Sequence, residues 1–168
     1  MTSTAATDRE QQLITELTQM GISYHLFEHQ AITTMEAGAQ IIAQLNELHT
    51  AVVVPVNLLL RDKAGKLYLL IKAPGKTKFN VIEKQLGTKG LKLVGMAELT
   101  ELLDVPPGTA TPFALVTHPE IPILWDHSIT QGMIYFHPFR NTASLGVMYG
   151  ELMRVFAQQQ STVTFVDC

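Results

Sequence analysis

Residues 51–60, AVVVPVNLLL, are almost entirely apolar and rich in valine and leucine. Such a run is typical of a β-strand that is buried on both faces. It is about half as long as a membrane-spanning helix needs to be, and it contains Asn57. Pro55 has no N–H to donate to a ladder, so it marks an edge, a bulge or the start of the strand. The chain is therefore expected to bury this strand inside a sheet.

A second apolar run over 67–73 follows a polar turn at 61–66, which contains Asp62 and Gly65. Two strands joined by such a turn predict a β-hairpin. Further short strands and helices are interspersed along the chain, which favours an α+β fold around a mixed sheet. The length of 168 residues fits one domain, expected to span 1–168.

Helices are predicted where a capping box precedes apolar residues at helical spacing. Such boxes begin at Thr7, Thr33 and Asn80, each followed three residues later by glutamate. Gly21 and Gly87 stand where the first and third helices are expected to end. The other predicted elements are helices over 97–103 and 150–159 and strands over 22–26, 113–116, 121–125, 133–137, 143–148 and 162–166.

Composition excludes several classes of protein. The chain is 46% apolar and 16% charged with a net charge of −3, which excludes intrinsic disorder. Its one cysteine, Cys168, excludes a disulfide scaffold and fits a reducing compartment. The N-terminal residues lack the apolar core of a secretory signal. A cytoplasmic protein without a membrane partner is expected.

The positive charge is concentrated in one stretch. Residues 61–92 hold nine basic and two acidic side chains, whereas the rest of the chain holds three basic and thirteen acidic ones. Such a stretch is either a phosphate-binding surface or a set of ordinary solvated lysines.

Familiar catalytic and metal-binding motifs are absent from the sequence. There is no P-loop, no G-x-G-x-x-G, no C-x-x-C and no G-x-S-x-G. His25 and His29 are four residues apart, but they lie in a segment that is predicted to be a strand, so they would not share a helical face. Neither a metal nor a cofactor is expected.

Residues 108–112, GTATP, form the first candidate site. A glycine and a proline four residues apart, after Pro106-Pro107, make a stiff loop whose backbone N–H groups are able to hold a carbonyl or a developing oxyanion. The alternative is an ordinary turn that leads into a strand.

Residues 136–142, FHPFRNT, form the second candidate site. They bring imidazole, guanidinium, amide and hydroxyl groups together at a predicted strand end. His137 either orients a ligand or accepts a proton near neutral pH; the alternative is a structural histidine in a polar turn.

Taken together, these segments resemble one known family. Residues 21–37 resemble its first strand and helix, and NLLLRDK at 57–63 resembles its hairpin. GTATP at 108–112 matches its G-x-x-x-P loop, and 137–142 match its H-P-x-x-N-T motif. The family is the YbaK/prolyl-tRNA-synthetase editing domains, and the pattern is most similar to the stand-alone deacylases that clear alanine from proline tRNA.

This resemblance implies a mixed, partly barrel-like sheet with helices outside. It also implies hydrolysis of the ester that joins a wrong amino acid to tRNA, without a metal, and with a substrate ribose hydroxyl helping to activate water. The partners would be aminoacyl-tRNA and, as candidates, prolyl-tRNA synthetase or an elongation factor. The resemblance assigns catalysis to Asn57, Gly108, Pro112 and His137, and substrate binding to Val56, Thr109, Ala110, Thr111 and Asn141.

One position departs from the family pattern. Relatives usually carry a lysine directly before Asn57, where this chain has Val56. The loss of such an ionic contact costs about 2–4 kcal/mol of transition-state stabilisation. Lys72 on the paired strand replaces that lysine if the hairpin register turns it toward the pocket. Otherwise the pocket serves a different aminoacyl group, or the protein binds charged tRNA without cleaving it.

Arg140 stands between His137 and Asn141, where many relatives carry an acidic or small residue. It either supplies the missing positive charge from this loop or lies in solvent. Three functions therefore stay open: a deacylase acting in trans, an inactive charged-tRNA-binding protein of the same fold, and a small-molecule-binding protein. The expected pocket walls are Ile32, Val56 and Phe113.

Overall fold

Two β-sheets and five α-helices make up the part of the chain that the computed structural model describes, residues 4–49 and 51–168. The α+β prediction is therefore confirmed. No helix in these two ranges is long and apolar enough to cross a membrane. The helices are α1 (Thr4–Gln19), α2 (Met35–Leu48), α3 (Phe79–Leu86), α4 (Met96–Leu103) and α5 (Tyr149–Gln158). The strands are β1 (Tyr24–Glu28), β2 (Val52–Val53), β3 (Val56–Arg61), β4 (Leu67–Lys72), β5 (Lys92–Leu93), β6 (Ile123–Asp126), β7 (Met133–Phe136), β8 (Ala143–Met148) and β9 (Val163–Val166).

The apolar run over 51–60 forms two strands in different sheets, so the prediction of a single strand is wrong. β2 ends at Val53 and β3 begins at Val56, with the buried Pro55 between them. β2 lies in a four-stranded sheet of order β1-β8-β7-β2, whereas β3 lies in a five-stranded sheet of order β5-β3-β4-β6-β9. Because proline cannot donate to a ladder, pairing is interrupted where the chain passes from one sheet to the other.

The predicted hairpin is confirmed as the antiparallel pair β3 and β4. Its register places Val56 opposite Lys72 and Asn57 opposite Ile71. Since directly paired residues project to the same face and neighbours along a strand to opposite faces, Asn57 and Lys72 lie on opposite faces of the sheet. β4, β6 and β9 run parallel to one another, so the sheet is mixed. Within the described ranges the two sheets remain separate and do not close into a barrel.

Both faces of the five-stranded sheet are buried. The main hydrophobic core joins one face to the four-stranded sheet and to helices α1, α4 and α5, and it contains the fully buried Trp125. A smaller cluster covers the other face, where Ile82 of α3 packs. The sheet contributes Leu59, Leu69, Ile71, Ile123 and Trp125 to the main core, and Leu60, Tyr68, Leu70, Leu124 and Val166 to the smaller cluster.

The starts of three helices differ from the sequence prediction. α1 begins before Thr7, and α3 begins before Asn80, so both residues lie inside their helices rather than capping them. In α2 the cap is Thr34 instead of Thr33, since the Thr34 hydroxyl accepts from the Ala37 N–H at 3.0 Å. Thr33 and Thr34 have the same side chain, and the backbone geometry makes Thr34 the capping residue.

Candidate active site

A cavity of about 450 Å³ lies where β3 and β5 approach β7, β8 and the loop after α4. Four predicted site residues line it, namely Asn57, Gly108, Ala110 and His137. Tyr135 and Ser144, which the sequence did not single out, also line it. A cavity of this size accommodates a small molecule or the end of a larger one. Its remaining wall is mostly apolar and consists of Val54, Pro55, Leu58, Leu59, Leu93, Val94, Gly95, Met96, Leu99 and Phe136.

Asn57 presents a hydrogen-bond acceptor that is not used within the protein. Its Nδ2 donates to the Ala110 carbonyl at 3.1 Å, which fixes the orientation of the amide. Its Oδ1 is buried and has no hydrogen-bond partner among the described residues. A buried acceptor without a partner is costly, so this oxygen is suited to receive a donor from a ligand in the cavity.

The loop over 108–112 is held in shape by its two threonines. The Thr109 hydroxyl and amide N–H both donate to the Pro106 carbonyl, at 2.7 and 3.2 Å. The Thr111 hydroxyl accepts from the Phe113 N–H at 3.3 Å. Both threonines are completely buried and neither lines the cavity, so they shape the loop instead of contacting a ligand there.

The two loop residues that line the cavity offer backbone donors. Gly108 has a φ of +77°, a conformation that favours glycine. The amide N–H groups of Gly108 and Ala110 have no acceptor among the described residues. Pro112 is buried outside the cavity and begins a 3₁₀ helix, Pro112–Thr117. The predicted strand at 113–116 is therefore wrong, because a threonine cap followed by proline starts a helical turn there.

His137 lies at the cavity with its ring fixed by one hydrogen bond. Its Nδ1 donates to the Ala143 carbonyl at 2.8 Å, so Nε2 of the neutral ring carries the lone pair. Burial lowers the pKa of His137 below its usual value, and the nearby His29 lowers it further, whereas the bond to Ala143 acts in the opposite direction. The imidazole is therefore neutral at pH 7 and serves as an acceptor.

This shift predicts that acid destabilises the protein through His137. Because its pKa is lower in the folded state, the unfolded state binds more protons below about pH 6.5, and stability falls as the pH drops through that region. Urea unfolding from about pH 7.5 to 5.5 measures the slope. We expect His137→Gln to flatten it, because glutamine at this position does not titrate. Equal slopes in wild type and His137→Gln would contradict the prediction.

The structure corrects the interpretation in which Lys72 replaces the missing lysine inside the cavity. Lys72 is 2% exposed, and its Nζ donates to the carbonyls of Ala73 and Gly75 at 2.7 and 2.8 Å. Val56, directly opposite, is 37% exposed. Neither residue lines the cavity, and both belong to the face of the hairpin opposite to Asn57.

Arg140 also lies outside the cavity. It neither supplies positive charge there nor extends into solvent, because its guanidinium binds Glu10, Glu28 and Thr142. Both interpretations of this residue are therefore wrong. Its guanidinium instead joins α1 and β1 to the loop that follows β7.

Three further residues expected at the pocket lie beside it. Asn141 uses its carbonyl to accept from the Ile32 N–H at 3.3 Å. Phe113 is 2% exposed and packs edge-on against Phe136, with ring centroids 5.6 Å apart. None of these three residues lines the cavity. Phe136, against which Phe113 packs, does line it.

Ser144 and His29 are the pair that sequence reasoning missed. The Ser144 Oγ lies 2.9 Å from Nε2 of His29, and Nδ1 of His29 lies 2.7 Å from the Gln30 carbonyl oxygen. The residues are far apart in sequence, and β1–β8 pairing brings them together. The alternation of His25, Phe27 and His29 indicates a shared strand face, but the sequence does not reveal what lies opposite.

The basic stretch over 61–92 is mostly at the surface. Arg61 pairs with Glu98, and Lys72 is buried. The other lysines are exposed, and no salt bridge involves them within the described ranges. Of these lysines, Lys92 is the direct neighbour in β5 of Leu93, which lines the cavity. The exposed lysines are Lys63, Lys66, Lys76, Lys78, Lys84, Lys89 and Lys92.

Comparison with known proteins identifies the family. Residues 29–155 match the aminoacyl-tRNA editing domain. The chain belongs to this family. The editing domain is 27% identical over 164 residues to prolyl-tRNA synthetase associated domain-containing protein 1 of Danio rerio, covering 94% of this chain and 86% of that protein. It is 22% identical over 165 residues to the prolyl-tRNA editing protein ProX of Acetoanaerobium sticklandii, covering 95% of this chain and 98% of ProX.

A solved structure supports the fold of the editing domain. A candidate trans-editing enzyme for prolyl tRNA synthetase superimposes with a TM-score of 0.63 at 15% identity, covering 95% of this chain and 97% of that one. The resemblance to the YbaK/prolyl-tRNA editing family, inferred from the sequence motifs, is confirmed by these matches.

Proposed function

We propose that this editing domain is an aminoacyl-tRNA deacylase that acts in trans in the cytoplasm. Its substrate is tRNA(Pro) carrying a small wrong amino acid, in the first instance alanine, and residues 1–168 act as one unit. The observation that carries the proposal is the cavity lined by Asn57, Gly108 and Ala110, in which the Asn57 Oδ1 and the two loop N–H groups have no hydrogen-bond partner among the described residues. The naming of the relative ProX as a prolyl-tRNA editing protein supports it.

Each polar group of the cavity has a counterpart on an aminoacyl ester. The N–H groups of Gly108 and Ala110 donate to the ester carbonyl and to the oxyanion that develops when it is attacked. The Asn57 Oδ1 accepts from the α-ammonium group of the amino acid. The apolar wall encloses a small side chain and excludes larger ones, which is how a size sieve of this kind discriminates best.

The exposed lysines of 61–92 supply the contacts to tRNA phosphates. Each phosphate neutralised by a lysine releases counterions, so binding of charged tRNA weakens as salt rises. This local positive surface lets an otherwise acidic protein approach RNA.

The test is deacylation of alanyl-tRNA(Pro) by wild type and by Asn57→Ala. We expect the wild type to release alanine and Asn57→Ala to lose about 10- to 100-fold in kcat/KM, the size of one hydrogen bond to a charged group. The matched control is Asn46→Ala, an exposed asparagine whose Nδ2 bonds within α2. Failure of the wild type to release alanine, under conditions in which ProX is active, would refute the deacylase; full activity in Asn57→Ala would refute the role of Asn57.

A second candidate is a protein of this fold that binds charged tRNA without cleaving it. The observation that favours it is the absence of a lysine at position 56, which the buried Lys72 does not offset in the cavity. Saturable, salt-sensitive binding of alanyl-tRNA(Pro) without turnover would establish this alternative. If Val56→Lys hydrolyses the ester and the wild type does not, the valine at this position is what prevents catalysis.

A further inference from the structure

Arg9 of α1 joins the two segments from which the loops at the cavity depart. On one side, its Nη1 donates to the Leu103 carbonyl at 3.2 Å and also to the Asp104 carbonyl. On the other side, its Cζ lies 4.3 Å from the centroid of the Phe139 ring, within the reach of roughly 6 Å for a cation–π contact. One guanidinium therefore connects the end of α4 with the loop that follows β7.

The contact with α4 lies directly before the loop over 108–112. α4 ends at Leu103, and Asp104 is its C-cap. The last carbonyls of a helix have no partner within the helix and carry partial negative charge, so a guanidinium stabilises them. The chain then enters the loop whose Gly108 and Ala110 line the cavity. Arg9 thus fixes the point from which this loop departs.

The contact with Phe139 lies on the loop after β7, which His137 begins at the cavity. The Phe139 ring is 3% exposed and belongs to the main core. Its φ is +66°, a conformation that bulky side chains rarely adopt, and such a backbone persists only where the surroundings hold it in place. Arg9 covers the ring, and the adjacent Glu10 binds Arg140. Two consecutive residues of α1 therefore hold this loop.

The left-handed backbone conformations coincide with the contacts of Arg9. Three residues other than glycine have a positive φ in the described ranges, namely Asp104, Phe139 and Gln160. Arg9 contacts the first two of them. Strained conformations of this kind are concentrated at functional sites, where neighbouring contacts maintain them. One side chain therefore contacts the strained position of each loop segment.

We propose that Arg9 is a positioning residue that sets the two loops relative to each other. It holds the N–H groups of Gly108 and Ala110 and the His137 ring in the arrangement that the reaction needs, although Arg9 itself does not line the cavity. The proposal rests on the deacylase function. Arg9 lies outside residues 29–155, which match the editing domain. Because a misplacement of about 1 Å costs up to about 100-fold in rate, loss of Arg9 should lower kcat more than it raises KM.

Hydrogen exchange of the whole chain tests the positioning role without any tRNA. Mass spectrometry of peptides over 105–111 and 137–143 compares wild type, Arg9→Met and Arg9→Lys, with the hairpin over 57–72 as the internal reference. We expect Arg9→Met to speed exchange about 10-fold or more in both loop peptides and to leave the hairpin unchanged, because local opening does not expose the core strands. Arg9→Lys keeps the charge but loses the planar fork, so its effect should be intermediate.

A purely structural anchor is the competing explanation, and the same experiment separates the two. An anchor that only adds stability would, when lost, speed exchange throughout the chain, hairpin included. That result, or unchanged exchange in both loops, would overturn the proposal. The matched control is Arg154→Met, because the Arg154 guanidinium bonds Glu151 at 3.0 Å and the Met20 carbonyl at 3.4 Å, and neither partner belongs to a site loop. We expect this variant to leave both loop peptides as in the wild type.

Alanyl-tRNA(Pro) hydrolysis separates the positioning role from the deacylase function. A kcat lower by about 10- to 100-fold in folded Arg9→Met, with KM little changed, supports both. Faster exchange in both loops of Arg9→Met, together with a wild type that does not cleave alanyl-tRNA(Pro), supports the positioning role and refutes that substrate. Equal kcat in wild type and Arg9→Met overturns the positioning role and leaves the deacylase standing.

Discussion

Gly146→Ala is expected to destabilise the protein by roughly 3 kcal/mol, the upper end of the range for overpacking a core. A Cβ at this position would lie 2.6 Å from both Cε1 and Cζ of Tyr135 and 3.0 Å from Cγ of Met133. The Tyr135 ring is 1% exposed, and its hydroxyl lies 2.7 Å from Nδ1 of His25. The register places Gly146 between His25 and Tyr135 in adjacent strands, so the ring packs across the glycine and a Cβ there would force it out of this position.

Urea unfolding of Gly146→Ala and Gly150→Ala measures this effect against a matched control. A Cβ at Gly150, in α5, meets nothing within 4 Å, so alanine there should stabilise the helix by about 0.5–1 kcal/mol. Combining Gly146→Ala with Tyr135→Leu should cost less than the sum of the two single changes, because the second removes the clash. Additive losses, or a loss at Gly146 below about 1 kcal/mol, would contradict the steric explanation.

Much of the fold follows from patterns that are local in sequence. Apolar runs on either side of a polar turn are sufficient to predict β3 and β4, and Gly87, with a φ of +68°, ends α3 as expected. The G-x-x-x-P spacing at 108–112 identifies a loop that does reach the cavity. In each case the determining interactions lie within a few residues of one another.

What the sequence did not predict depends on pairing between distant segments. The face that Lys72 occupies is set by the hairpin register, and one residue of slip would reverse it. Ser144 meets His29 only because β8 pairs with β1. The interruption at Pro55 was predictable, but the transfer of the chain into a second sheet depends on partners elsewhere.

Arg140→Met is the second substitution that we expect to lower the stability of the protein strongly. Its Nε donates to both carboxylate oxygens of Glu10 at 3.0 and 3.1 Å, and its other nitrogens donate to Glu28 at 3.0 Å and Thr142 at 3.1 Å. Burial lowers the pKa of Arg140, but the hydrogen bonds to Glu28 and Glu10 outweigh it and hold the pKa above its ordinary value. Arg140→Met should therefore cost about 2–3 kcal/mol, since it leaves the Glu10 carboxylate partly buried without its partner.

Double-mutant cycles separate the two carboxylates. The Glu10 side chain is 12% exposed, whereas that of Glu28 is 73% exposed. The coupling between Arg140→Met and Glu10→Gln should be about 2 kcal/mol, against less than about 0.5 kcal/mol with Glu28→Gln, because solvent screens the exposed pair. Equal couplings would show that burial does not determine the strength of this contact. Unequal couplings would show that one buried ion pair fixes the loop after β7 to α1. That loop carries His137 at the cavity.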